Sequence, residues 1–183
     1  MRWLGLDPGE KRTGVAVSGP EATYAIPLRV LRHRSEGPAL DDLRKLVEEY
    51  RADGLVIGLP LSLSGSPSQQ THAAVALARR IAEHFGVPLE MPDIARGLYP
   101  AEAGIPTGEH YHPEAGVHPR VLLWDERLSS WEAGRMVEPE RVGRKARPGE
   151  KRALDAHAAA IILQSFLDIL TREQHEQSDG TPD

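Results

Sequence analysis

The chain has 183 residues, 40% hydrophobic and 27% charged, with a formal net charge of −5, the profile of one soluble globular domain large enough to bury a core. The absence of cysteine excludes disulfides and thiolate metal sites and fits a cytoplasmic protein. No apolar run approaches the roughly 18 residues of a bilayer span, and the opening MRWLGLDPGEKR lacks an h-region and cleavage site, so neither membrane insertion nor secretion is expected.

Residues 3 to 7 and 13 to 18 read as two strands joined by a loop from Pro8 to Arg12, and residues 24 to 31, YAIPLRVL, as a third. Pro27 lies inside that third strand, and proline cannot donate a ladder hydrogen bond, so the strand belongs at an edge. The period then changes: Leu40, Leu43, Val47 and Tyr50 fall on one face of a helix. GLVIGL (54–59) is a continuous apolar run between turn signals, the mark of a strand covered on both faces. A second helix carries Ala74, Leu77, Ala78, Ile81, Ala82 and Phe85 along one stripe and stops at Gly86, with Pro88 beyond.

From about Leu89 to Arg120 regularity fails. Residues 91–118 hold four Gly and four Pro, too many breakers for a long element in a stretch too long for an ordinary connection, so 89–120 reads as an irregular insertion. VLLWDE (121–126) is another buried strand, and Ser129-Ser130-Trp131-Glu132 offers a Ser-x-x-Glu capping box for a further helix. The last helix is expected over Glu150–Leu170, with 171–183 an acidic, disordered tail. The order βββαβαβα calls for a mixed five-stranded sheet, a meander on one side and helices on both faces.

Charge is unevenly spread. The stretch from Asp168 to Asp183 has five acids against Arg172, whereas Arg141, Arg144, Lys145, Arg147, Lys151 and Arg152 face only Glu150. A basic run is usually a solvated surface, but this one immediately precedes a helix with an acid on its apolar face. Counting from Asp155, the positions Ala158, Ala159, Ile162, Phe166 and Ile169 share that face. A carboxylate there needs a cation or strong donors, or it lies in the first helical turn, where the dipole welcomes an acid.

Asp7 ends the first strand and Asp125-Glu126 the last, at the end where open α/β sheets gather functional groups. Only one of Asp125 and Glu126 can share the face of Asp7, because neighbours in a strand point oppositely. The other is left to hold Arg127 or cap a turn. Three convergent carboxylates repel unless divalent cations join them, and an all-oxygen donor set suits Mg²⁺ or Mn²⁺. Such ions can stabilise the attacking and leaving oxygens of a phosphodiester. Gly5 and Gly9 flank Asp7 without side chains and suggest close approach of a substrate to the backbone.

Four segments, LGLDPGEKRTGVAVS (4–18), VIGLPLSLSG (56–65), DERLSS (125–130) and KRALDAHAAAIILQSFL (151–167), resemble in order the YqgF (RuvX) family of RNase H-like nucleases. The resemblance implies an RNase H-like sheet of order 3-2-1-4-5. It also implies a divalent-metal nuclease associated with maturation of the 5′ end of 16S rRNA and, by fold kinship, with Holliday-junction resolution. By position, Asp7 matches the first-strand acid, Glu126 the acid of the DER motif and Asp155 that of the last helix. Gly19-Pro20 stands where an Asp is usual after the second strand's serine, and Ser64 where an acid or amide is common; the 89–120 excursion is longer than usual. These departures bear on substrate contacts and oligomeric state, for which a monomer or a homodimer is expected.

Lys11 and Arg12 beside Asp7, Arg127 after the acidic pair, and the 141–152 bases are the candidate phosphate contacts. His110, His112 and His118 make a weak zinc pattern without a fourth ligand. A sugar-kinase-like phosphotransferase shares the D-x-G-x-x-x-x-G-V loop but needs two such domains. A non-catalytic ribosome-assembly or nucleic-acid-binding module on the same fold is the alternative, and three intact acids count against it.

Overall fold

In the computed structural model the described residues are 1–34, 37–38, 40–62, 66–91, 119–127 and 148–179. Strands β1 (Trp3–Pro8), β2 (Arg12–Ser18) and β3 (Ala25–Arg34) form an antiparallel meander. There follow β4 (Gly37–Pro38), α1 (Leu40–Tyr50), β5 (Gly54–Leu59), α2 (Gln69–Phe85), β6 (Leu89–Glu90), β7 (Arg120–Asp125) and α3 (Pro148–Asp179). The sheet runs β4-β3-β2-β1-β5-β7-β6, with β5, β6 and β7 parallel to their neighbours. Its five long strands stand in the expected order 3-2-1-4-5. The correction lies at the edges, where β4 and β6 add two residues each, too short for any periodicity to show.

Pro27 sits where the β2–β3 register shifts, between the pairs Val15↔Arg29 and Ala16↔Pro27. Leu28 is thus the extra residue of a bulge, a device that absorbs a residue unable to donate. At α2, Ser68 and Thr71 form a reciprocal capping box, and Gly86 ends the helix at φ 68°, the left-handed conformation glycine adopts without steric cost.

Alternation along the strands divides the core. Leu4, Leu6, Val15, Leu55, Ile57, Val121 and Leu123 pack under α1 and α2 with Leu43, Val47, Ala78, Ile81 and Phe85. Trp3, Ala16, Val56 and Leu122 face α3, meeting Ala159, Ile162, Leu163, Phe166 and Leu167. The Trp3 and Trp124 rings both meet Phe166 edge-on, at centroid distances of 4.7 and 5.3 Å. Each large side chain buried this way stabilises by about 1.5–3 kcal/mol, so register is strongly held. A one-residue slip of β1 would turn Asp7 toward α2 and Leu6 toward α3, where the contact at Gly5 leaves no room for a side chain.

α3 corrects three expectations. It starts at Pro148 rather than Glu150, because proline is tolerated in a first turn. It continues past Leu170 to Asp179, since nothing in TREQHEQSD breaks a helix before Gly180 and Pro182. Residues 153–172 are also long and apolar enough to cross a bilayer by length and composition, but their stripe from Ala159 to Leu167 is buried on the sheet. The insertion opens with β6 on β7, where Arg120 Nη2 meets Glu90 Oε2 at 2.6 Å. Residues 92–118, with His110, His112 and His118, lie outside the described residues, as do the Ser129–Glu132 box and Ser64.

Candidate active site

The face rule that sorts the core also sorts the acids. Asp7 follows Trp3 and Gly5 by steps of two and therefore lies on the α3 side. Its neighbour Leu6 pairs with Ile57, which sets Asp7 level with Gly58 on β5. Glu126 follows Leu122 and Trp124 on that same side, and its N–H donates to the Leu59 carbonyl at 3.2 Å. Asp125 points the other way and is 5% exposed. It accepts from the Arg127 backbone N–H at 3.0 Å and from Nε and Nη2 at 3.0 and 2.7 Å. Asp125 is thus committed to holding Arg127 and capping the turn, and Glu126 is the acid that meets Asp7. Both alternatives left open for Asp125 and Arg127 are decided by which face each residue occupies.

Asp155 lies two turns into α3, beyond the reach of a first-turn dipole. Its partner is Arg12, whose Nε forms an ion pair with Oδ2, while that buried oxygen accepts no aligned hydrogen bond. Three glycines bring the helix this close. A Cβ on Gly5 would stand 2.7 Å from Leu163 Cβ, one on Gly14 would strike the Asp155 carbonyl, and one on Gly58 would strike the Glu126 carboxylate. The reading of Gly5 and Gly9 as a substrate approach is corrected here. Gly5 is covered by α3, and Gly9 serves the turn, its N–H donating to the Arg12 carbonyl at 3.0 Å. Gly14 and Gly58 were not singled out in the sequence, where a glycine in a strand signals close backbone approach without saying to what.

The electrostatics bind these positions together. Burial, then the charge of Asp155, lifts the Asp7 carboxyl from 3.8 to about 6. Burial, then the charges of Asp7 and Asp125, lifts Glu126 from 4.5 to about 7. Asp7 on β1 therefore lies within charge range of both Asp155 on α3 and Glu126 after β7. Among the described residues no three His, Asp or Glu side chains close around one point as ligands of a single ion. The donor set nevertheless fits a hard cation: it is all oxygen, Asp7 is repelled by its acidic neighbours, and a buried Asp155 oxygen is held by an ion pair to Arg12 rather than by an aligned hydrogen bond.

A carboxyl whose folded pKa exceeds its unfolded value stabilises the fold fully below the unfolded pKa and loses that contribution as pH rises through the folded one. The metal-free protein is expected to lose about 3 kcal/mol per raised carboxyl between about pH 4 and pH 8. Urea unfolding in EDTA checks this against an Asp7→Asn/Glu126→Gln variant. Parallel pH profiles for the two proteins would mean that the acids are solvated and independent.

Of the remaining candidates, Lys11 is exposed at the β1–β2 turn. His33 pins this turn: its backbone N–H donates to the Lys11 carbonyl at 3.0 Å, and its ring lies 3.1 Å from the Glu10 carbonyl and 2.9 Å from Thr13 Oγ1. Lys151 and Arg152 lie on the first turns of α3, their side chains outside the described residues; Arg144, Lys145 and Arg147 lie outside them altogether. Sequence reading passed over Arg29 and Arg32 of β3, whose only local signal is the basic run RVLRHR.

The sequence pattern of the RuvX family, described as Holliday junction resolvase, matches residues 1–95 and 110–169. A protein of Geobacillus kaustophilus, provisionally named pre-16S rRNA nuclease, is 33% identical over 92% of this chain and 98% of its own. One of the same name from Lactobacillus delbrueckii subsp. bulgaricus is 32% identical over 94% of this chain and 100% of its own. Among solved structures, T. thermophilus RuvC in complex with a Holliday junction substrate aligns over 93% of this chain and 96% of its own, with TM-score 0.46 and 13% identity.

Proposed function

The chain belongs to the RuvX family, and from that premise we propose that it is a divalent-metal-dependent nuclease that hydrolyses phosphodiester bonds of precursor 16S rRNA. The carrying observation is the placement of Asp7 within charge range of both Glu126 and Asp155 on one face of the sheet, where burial first and this repulsion second raise the Asp7 and Glu126 carboxyls to about 6 and about 7. Relatives named for pre-16S rRNA cleavage, alignable over nearly their whole length, support the choice of substrate.

Asp7, Glu126 and Asp155 would hold Mg²⁺ or Mn²⁺, with Arg12 the counter-ion of Asp155 in its absence. The bound cation supplies charge neutralisation at the scissile phosphate and lowers the pKa of the attacking water. The protein's own contribution is placement. β1 and β7 set two carboxylates at the sheet rim, α3 brings the third, and the Asp125–Arg127 pair fixes the turn on which Glu126 stands. Arg12 and Lys11, on the turn beside Asp7, stand where phosphate charge needs neutralising.

Cleavage of a precursor 16S rRNA fragment is expected with Mg²⁺ or Mn²⁺ and to vanish with EDTA. A four-way DNA junction run beside it tests the activity in the family's description. Cleavage that survives EDTA would reject the mechanism, and tight binding without cleavage under either ion would mark a non-catalytic assembly factor.

A further inference from the structure

Between the β1–β2 turn, the outer strand β3 and the start of α3 lies an open cavity of about 780 Å³. Every charged residue along it has the same sign: Lys11, Arg12, Arg29 and Arg32, accompanied by His33 and His157. Among the described residues it has no Asp or Glu in its wall, and no Phe, Tyr or Trp. Arg12 and Arg32 are direct cross-strand partners, a like-charge pair that Asp155 relieves at Arg12 and a phosphate would relieve at Arg32. Lys11 and Arg32 are exposed and accessible from solvent, whereas Arg29, level with Val15, turns to the α1 side, where Asp42 and Glu49 are neighbours. One cation of the wall, Arg12, also pairs with Asp155, which ties the cavity to one of the three acids.

We propose that this groove carries the sugar–phosphate backbone of the nucleic acid to the acid cluster, with Lys11 and Arg32 gripping phosphates and no base being read. The assignment rests on the nuclease reading and adds the path of the strand, which runs along β3. A single-sign wall beside a phosphodiester-cleaving site selects a polyanion. The described residues of the wall offer no Phe, Tyr or Trp as a platform for base stacking, the usual sequence-tolerant source of affinity for single strands. What remains is phosphate contact, which is indifferent to sequence and steeply dependent on salt.

The test is fluorescence anisotropy in EDTA, with labelled RNA and DNA strands of one sequence and of its scramble, over a salt series. For Lys11→Ala/Arg32→Ala, affinity is expected to fall equally for both sequences. The log–log salt slope should drop by about 1.4, at roughly 0.7 per lost phosphate contact on a single strand. The RNA or DNA arm that weakens identifies the backbone the groove takes. Arg51→Asn removes one positive charge at the opposite rim, before β5, where φ of 49° suits asparagine, and should bind as wild type. Melting temperatures confirm that the variants fold. Should the double variant bind with unchanged affinity and slope while the wild type binds and cleaves, the groove is overturned and the nuclease reading stands. A wild type that binds neither strand would remove both.

Discussion

Asp7→Asn is expected to abolish cleavage while leaving the chain folded and, without metal, more stable than wild type above pH 7. The carboxylate is mostly buried, its pKa raised to about 6 first by desolvation and then by Asp155. It is therefore held charged at neutral pH against the preference of its surroundings. Asparagine keeps the shape and removes the charge, which relieves Glu126 as well. The same charge is what a divalent cation requires. Losing metal-based stabilisation worth about 4 kcal/mol corresponds to roughly a thousandfold in rate. Single-turnover cleavage and thermal melts in EDTA and in Mn²⁺ read the two effects separately. Mn²⁺ should raise the melting temperature of wild type and leave the variant's unchanged. A variant that cleaves at the wild-type rate, or one destabilised in EDTA, would remove Asp7 from the proposed site.

Gly14→Ala carries the largest expected cost in stability. The new methyl would meet the backbone carbonyl of Asp155, and unlike the far end of a flexible side chain, helix backbone cannot step aside alone. The start of α3 would have to lift from β2, breaking the register that Gln164 helps to set through its bonds to Ala25 N and the Thr23 carbonyl at 2.8 and 3.2 Å. Overpacking of this kind costs about 3 kcal/mol. Activity should fall further than stability explains, because the displaced residue is Asp155 itself. Chemical denaturation, with cleavage measured where both proteins remain folded, checks this. An alanine variant of wild-type stability and rate would show that the close approach of helix to strand is not needed.

Where side chains repeat over many residues, the local pattern was enough. The meander, α1, the fully buried β5 and the stop of α2 at Gly86 all follow from periodicity and from backbone chemistry within a few residues, whereas the Pro27 strand has β4 beyond it, paired at His33 and Arg34. So does the proximity of Asp7 to the DE pair, since both end strands that run in parallel. β4 and β6 were illegible because two residues carry no period. The end of α3 was misplaced because the acidic composition of 171–179 suggested a tail, while its residues keep good helix propensity.

The identity and order of the acids, the opposition of neighbouring acids across a strand, and the breakers that bound each element were thus determined by the chain alone. Which of Asp125 and Glu126 turns toward Asp7 depended on tertiary structure, because alternation sets only that they differ. The packing of Leu122 and Trp124 under α3 chooses between them. The same is true of Asp155, whose partner Arg12 is 143 positions away, and of Gly14 and Gly58, whose missing side chains acquire meaning only from what lies above them. Pairings of this kind are long-range, and no window along the sequence contains both halves.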